Sequence, residues 1–213
     1  MGDEQSSLIR VLDHIVVDVI AAIRSAFDDA LLERQAIEER FQIDVFLGDL
    51  SWETSYSLPG EGSPPRVRAD ISLDWPTWSQ SAYRSWSIGE SPEDMPEVVI
   101  EIALRIQRLN GLIDPKLILL ALNVSPPTIG SDPLEAMGPT IEQSFSKDVG
   151  QTDDPPRTAV EVSYEGTFHL TEEILSDPES LVKKFAPLGR WIASTLVRLG
   201  DLKLPFLPAD EED

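Results

Sequence analysis

From Arg66 to Trp75 the chain alternates without a break. Val67, Ala69, Ile71, Leu73 and Trp75 are apolar, while Arg66, Arg68, Asp70, Ser72 and Asp74 are polar. A period of two sends the two sets to opposite faces of a β-strand. The pattern returns at 98–109, where Val98, Ile100, Ile102, Leu104 and Ile106 alternate with a set that includes Glu101, Arg105 and Gln107. It returns again at 158–170, where Val160, Val162, Tyr164, Phe168 and Leu170 alternate with Glu161, Ser163, Glu165, Thr167 and His169. One more strand is predicted from Phe41 to Leu58, with a defect. Phe41, Ile43, Val45 and Leu47 are apolar before Gly48; Leu50, Trp52, Tyr56 and Leu58 are apolar after it. A one-residue change of phase at a glycine predicts a β-bulge.

Other stretches follow a longer period. Residues 5–40 hold no Gly or Pro, and Leu8, Leu12, Ile15, Val19, Ala22, Ala26 and Ala30 recur at steps of three and four. The spacing predicts one long amphipathic helix over this whole region. Asp114-Pro115 fits an N-cap followed by a first helical position. Asp177-Pro178 predicts the start of a short helix, and 187–199 a second one ended by Gly200. Residues 76–97 carry Trp78, Tyr83 and Trp86 among Pro, Ser and acids and read as an irregular connection. Residues 110–157, broken repeatedly by Pro and Gly, read as a long, partly ordered insertion.

These elements predict an α+β fold, a four-stranded antiparallel sheet with helices on its apolar face and water on the other. The expected organisation is an N-terminal helical extension over 1–40, a domain over 41–208 with an insertion at about 110–157, and an acidic tail over 209–213.

Composition narrows the function classes. The net charge of −21 is the wrong sign for gripping a phosphate backbone, so no nucleic-acid partner is expected. There is no cysteine, hence no disulfide, thiolate metal site or cysteine nucleophile. Two histidines, His14 and His169, do not supply the convergent partners of a histidine metal or catalytic site. Gly-rich phosphate loops and nucleophile constellations are absent, so neither enzymatic activity nor a cofactor is expected. The acidic N-terminus and the lack of a run of about 18 apolar residues give the expectation of a soluble, cytoplasmic protein without membrane insertion.

Three collinear blocks resemble the SecB family of export chaperones. The first is Phe41-Gln42-Ile43 followed by Asp49-Leu50-Ser51-Trp52-Glu53, one residue closer than the family's Phe-Gln-Ile and Asp-Ile-Ser-Phe-Glu. The second is Glu161-Val162 with Gly166 and Phe168. The third is Pro187, Arg190, Leu196, Val197 and Gly200, followed by the apolar, Pro-containing stretch Leu202 to Pro208. Together they cover about half the chain.

The resemblance implies an ATP-independent holdase that binds non-native or precursor polypeptides, for export or for an antitoxin client. It implies a homo-oligomer, dimer or tetramer, and a SecA-type motor or an antitoxin as further partners. It places a docking face at Asp49, Glu53 and Glu161, three acids that strand parity puts on the polar face. An apolar client groove would draw on Tyr56, Leu58, Trp75, Trp78, Tyr83, Trp86 and Trp191. The sequence departs from the family in its N-terminal helix, its 110–157 insertion and the lack of a second C-terminal helix. A rival reading from another class is an acidic inhibitor or DNA mimic that binds a basic nucleic-acid-binding protein.

Overall fold

The structure, a computed structural model, describes residues 21, 23–31, 36–46, 48–129, 134–136, 140–144, 157–170 and 178–209. Four long antiparallel strands form its centre, in the order β2 (Asp49–Ser57), β3 (Val67–Trp75), β4 (Glu97–Asn110) and β7 (Arg157–His169). Strands β3, β4 and β7 match the strands predicted at 66–75, 98–109 and 158–170, while β2 is the second half of the strand predicted from Phe41 to Leu58. The sheet is wider than expected, because β1 (Ile37–Phe46) pairs with β2 at one edge. The short β5 (Glu135–Ala136) and β6 (Thr140–Ser144) pair with β7 at the other.

The parity read from the sequence sets the layers. Tyr56, Ala69, Leu104 and Val162 lie side by side across the four strands, as do Trp52, Leu73, Ile100 and Gly166. All of them except Gly166, which has no side chain, are buried, on the face that the helices cover. Helix α4 (Pro178–Gly200) turns Phe185, Leu188, Ile192, Leu196 and Leu199 onto the core at three- and four-residue steps. The Phe185 ring meets Phe168 edge-on at 4.9 Å and Phe27 at 5.6 Å. Helix α1, described over residues 23–31, buries Ile23, Ala26, Phe27, Ala30 and Leu31. It packs so closely on α4 that a Cβ at Gly189 would stand 2.8 Å from that of Ala30. Helix α3 (Pro115–Ala121) is held to α4 by the Trp191 Nε1–H, which donates to the Val124 carbonyl at 2.9 Å. Gly189 and Trp191 are about 200° apart around the helix axis, so α1 and α3 flank α4 on opposite sides.

Several expectations need correction. The 5–40 helix does not reach residue 40: Ala36 is outside it, and Ile37 already belongs to β1. Residues 1–20 of that expectation lie outside the described residues. The competing force is long-range, since residues 37–46 complete a hydrogen-bonded ladder with β2. The phase change at Gly48 is a hairpin rather than a bulge: Phe46 pairs with Asp49, and Gly48 takes φ +92° to reverse the chain. Residues 76–97 are not irregular throughout, because Thr77–Ser87 forms helix α2. Its first amide is satisfied from outside the segment: Asp49 accepts from the Thr77 amide at 2.6 Å and from the Thr77 hydroxyl at 2.8 Å. Residues 178–200 are one helix, not two. Pro187 removes a single amide donor, while Phe185 and Leu188 on either side of it are fully buried in one core. The insertion contributes α3, β5 and β6. Asp114 caps α3 as expected, accepting from the Lys116 amide at 3.0 Å.

After Gly200 the chain runs extended along the end of β4. The Asn110 amide donates to the Pro205 carbonyl and the Leu207 amide to the Arg108 carbonyl, both at 2.7 Å. The Arg66 guanidinium stands over the Phe206 ring at 5.1 Å.

Candidate functional site

No described helix covers the polar face of the sheet, and strand register sorts its side chains into rows. One row runs Glu53, Ser72, Glu101, Glu165 and Glu135 across β2, β3, β4, β7 and β5. The next holds Ser55, Asp70, Ala103 and Ser163, and the one after it Ser57, Arg68, Arg105 and Glu161. Glu53, Arg68, Asp70, Glu101, Arg105 and Glu161 line a shallow concavity of about 280 Å³. Two internal ion pairs lie in it. Arg68 bonds Asp70 at 2.9 Å, and Asp70 also accepts from the Ser55 hydroxyl at 2.6 Å. Arg105 bonds Glu161, which Ser163 also contacts. Four carboxylates against two guanidiniums leave the concavity net negative. The Glu101 carboxyl is pushed above the usual carboxylate range, first by partial burial and then by Glu165, Glu161, Asp74 and Glu53.

The three expected docking acids are thus not one cluster. Glu53 and Glu161 line the same concavity. Asp49 lies at the hairpin end, on the order of 30 Å from Glu161 by strand and residue spacings. Its carboxylate caps α2, and the two bonds from Thr77 hold its pKa below the ordinary value. Sequence reasoning did not single out Glu101, Glu165, Arg68 and Arg105 as part of this face. Their parity was readable, but which residues stand side by side is a matter of register.

The expected client groove is mostly interior. Tyr56 is buried on the helix-covered face and donates its hydroxyl to Asp28 at 2.5 Å. Trp75 is fully buried, with its indole N–H on the Ser79 hydroxyl at 3.1 Å. Tyr83 is buried against Trp75 at 5.4 Å, and Trp191 against Tyr164 at 5.2 Å. Leu58 is half-buried beside Gly200. These five are unavailable as an open groove, because they fill the space between sheet and helices. Trp86 is half-buried on Tyr83, and Trp78 is 46% exposed. Two further apolar side chains follow on the loop after α2, Ile88 at 70% and Met95 at 54% exposure. This segment is held in place from below: Gln80 donates to the Gly48 and Trp75 carbonyls, and Ser79 bonds the Glu97 backbone twice.

His169 lies at the end of β7 with Nδ1 3.5 Å from Glu97. Among the described residues, no group of three or more His, Asp or Glu side chains is placed to hold a metal ion, and no helix is long and apolar enough to cross a membrane. Comparison with protein-family models, curated proteins and solved structures found no match to this chain.

Proposed function

We propose that this protein is a SecB-like holdase that binds non-native polypeptide without nucleotide. The observation that carries the reading is the apolar character of α2 and its following loop, where Trp78, Ile88 and Met95 are exposed and Trp86 is half-buried. Unfolded clients share no sequence, so the surface that holds them must be adaptable. A methionine and aromatic rings meet that need, the thioether by flexibility and the rings by large, sequence-tolerant contact area. A net charge of −21 keeps a protein with such exposed side chains soluble. The three-block resemblance supports the same reading. The acidic sheet face then serves a separate partner that brings Lys or Arg, for which the resemblance offers a SecA-type motor or an antitoxin. Opposite charge there speeds encounter and sets orientation more than it raises affinity.

The test is light scattering from a chemically unfolded client diluted into buffer with and without the protein. Suppression of aggregation by wild type is expected, and its loss is expected in the triple variant Trp78→Ser, Ile88→Ser, Met95→Ser. Circular dichroism should show that variant folded, since all three side chains are exposed. Absence of suppression by wild type at equimolar ratio would sink the reading. Glu53→Lys with Glu101→Lys should leave suppression intact and weaken a basic partner in a salt-dependent way.

A further inference from the structure

Helix α3 presents an apolar surface that no described element covers. Ile118 and Leu122, four residues apart, are buried and anchor it. Leu117, Leu119 and Leu120 are 47–70% exposed, joined by Leu112 before the helix and Val124 after it. A side chain of this kind exposed singly is ordinary, but five within thirteen residues on one anchored element are not. The patch is preformed, because the Trp191 indole fixes its far end at the Val124 carbonyl and Asp114 caps its near end.

Charge selects the occupant. From Leu112 to Val124 the only charged residues are Asp114 and Lys116, which cancel, whereas the chain carries −21 overall. Two copies of so acidic a protein repel each other most weakly where such a neutral surface is turned inward. More distant charges are screened over about 8 Å at physiological salt. A two-fold contact brings the same patch from both copies together, so it must be self-complementary. The exposed Asp114 and Lys116 meet that condition, since the acid of one copy can face the ammonium of the other at the rim of a leucine core.

We infer that α3 is an isologous interface through which two copies of this chain associate. The leucines supply the apolar core of a contact that needs about 800 Å² per partner, and Asp114 and Lys116 set its direction. The surface comes from the 110–157 region, outside the residues that resemble SecB, and the inference does not depend on the holdase reading.

Native mass measured by sedimentation velocity over a range of concentrations tests it. Wild type should sediment as a dimer, with twice the 23.6 kDa of one chain, or as a larger even assembly. Leu120→Glu, at a position 70% exposed, should halve that mass or raise the dissociation constant by about tenfold or more. Leu112→Glu, in the loop before the helix, should do the same if Leu120→Glu fails to fold. Lys116→Glu should weaken association at low salt and less at high salt, while the same charge reversal at the exposed Lys203, Lys203→Glu, should leave the mass unchanged. A monomeric wild type at 100-micromolar order (about 10⁻⁴ M, far above a specific dissociation constant) overturns the inference, as does an assembly whose mass both leucine variants leave unchanged.

Discussion

Tyr56→Phe removes one oxygen atom from the contact between α1 and the sheet, and its consequence can be worked out with sign and size. The Tyr56 side chain is buried, and its hydroxyl donates to Asp28 Oδ1 at 2.5 Å. Burial and that bond hold the phenol far above its ordinary pKa, so it is always the donor. Asp28 sits 3.8 Å from Arg24, which forks onto Glu38, and Glu38 also accepts from the Thr54 hydroxyl at 2.8 Å. A hydrogen bond to a charged group is worth about 1.5–3 kcal/mol. Asp28 keeps 31% of its side chain in water, which replaces part of the lost bond. The expected cost at pH 7 is thus about 1.5 kcal/mol, or about 3–6 °C in Tm for a chain of this size.

The pH dependence of that cost is the sharper test. Burial raises the pKa of Asp28 above its unfolded value, and the Tyr56 bond pulls it part of the way back. Between the unfolded and the raised folded value the native state binds more protons than the unfolded one. Stability contributed by this group is therefore lost as pH rises through that window. Without the hydroxyl the folded pKa rises further, so the variant loses more over the window than wild type does. The penalty should be full at pH 7 and should shrink as pH falls through the raised folded pKa, where Asp28 takes up its proton. Urea unfolding followed by tryptophan fluorescence at pH 7 and pH 4 measures it, other carboxylates cancelling in the difference between proteins. Equal penalties at pH 7 and pH 4, or none at pH 7, would refute the role given to this bond.

Gly48→Ala should destabilise by about 1–2 kcal/mol, since the new Cβ must adopt φ +92° and would stand 2.9 Å from the Thr77 hydroxyl; thermal unfolding measures it. Glu101→Gln should stabilise by a few tenths of a kcal/mol at neutral pH, a figure already discounted for solvent screening. Because the folded pKa of Glu101 is raised, the ionised form costs stability, so this gain should fade on acidification; unfolding at pH 7 and pH 4.5 shows whether it does.

Parity proved the most legible property of the chain. The alternation at 66–75, 98–109 and 158–170 gave both the strands and the face each residue takes, and Glu53, Glu101 and Glu161 lie on the wet face as their positions demand. The same parity already placed Tyr56 with Trp52, and Trp75 with Val67 to Leu73, on the apolar face. Offering them as groove residues went against the pattern, and they are core. Gly48 was visible as a break, but a bulge and a hairpin both shift the phase by one, and only the partner strand distinguishes them. Helix α2 stayed hidden because its cap comes from Asp49, 28 residues earlier.

The sequence alone determined the strands at 66–75, 98–109 and 158–170, their two faces, the helical periodicity of α4 and the acidic balance of the chain, because each depends on composition or on neighbours one to four residues apart. Tertiary structure alone decided which acids share a concavity, which aromatics are interior and where α1 gives way to β1. These depend on register and on contacts between distant segments, where burial and ladder hydrogen bonds outweigh the weak local preferences of the chain.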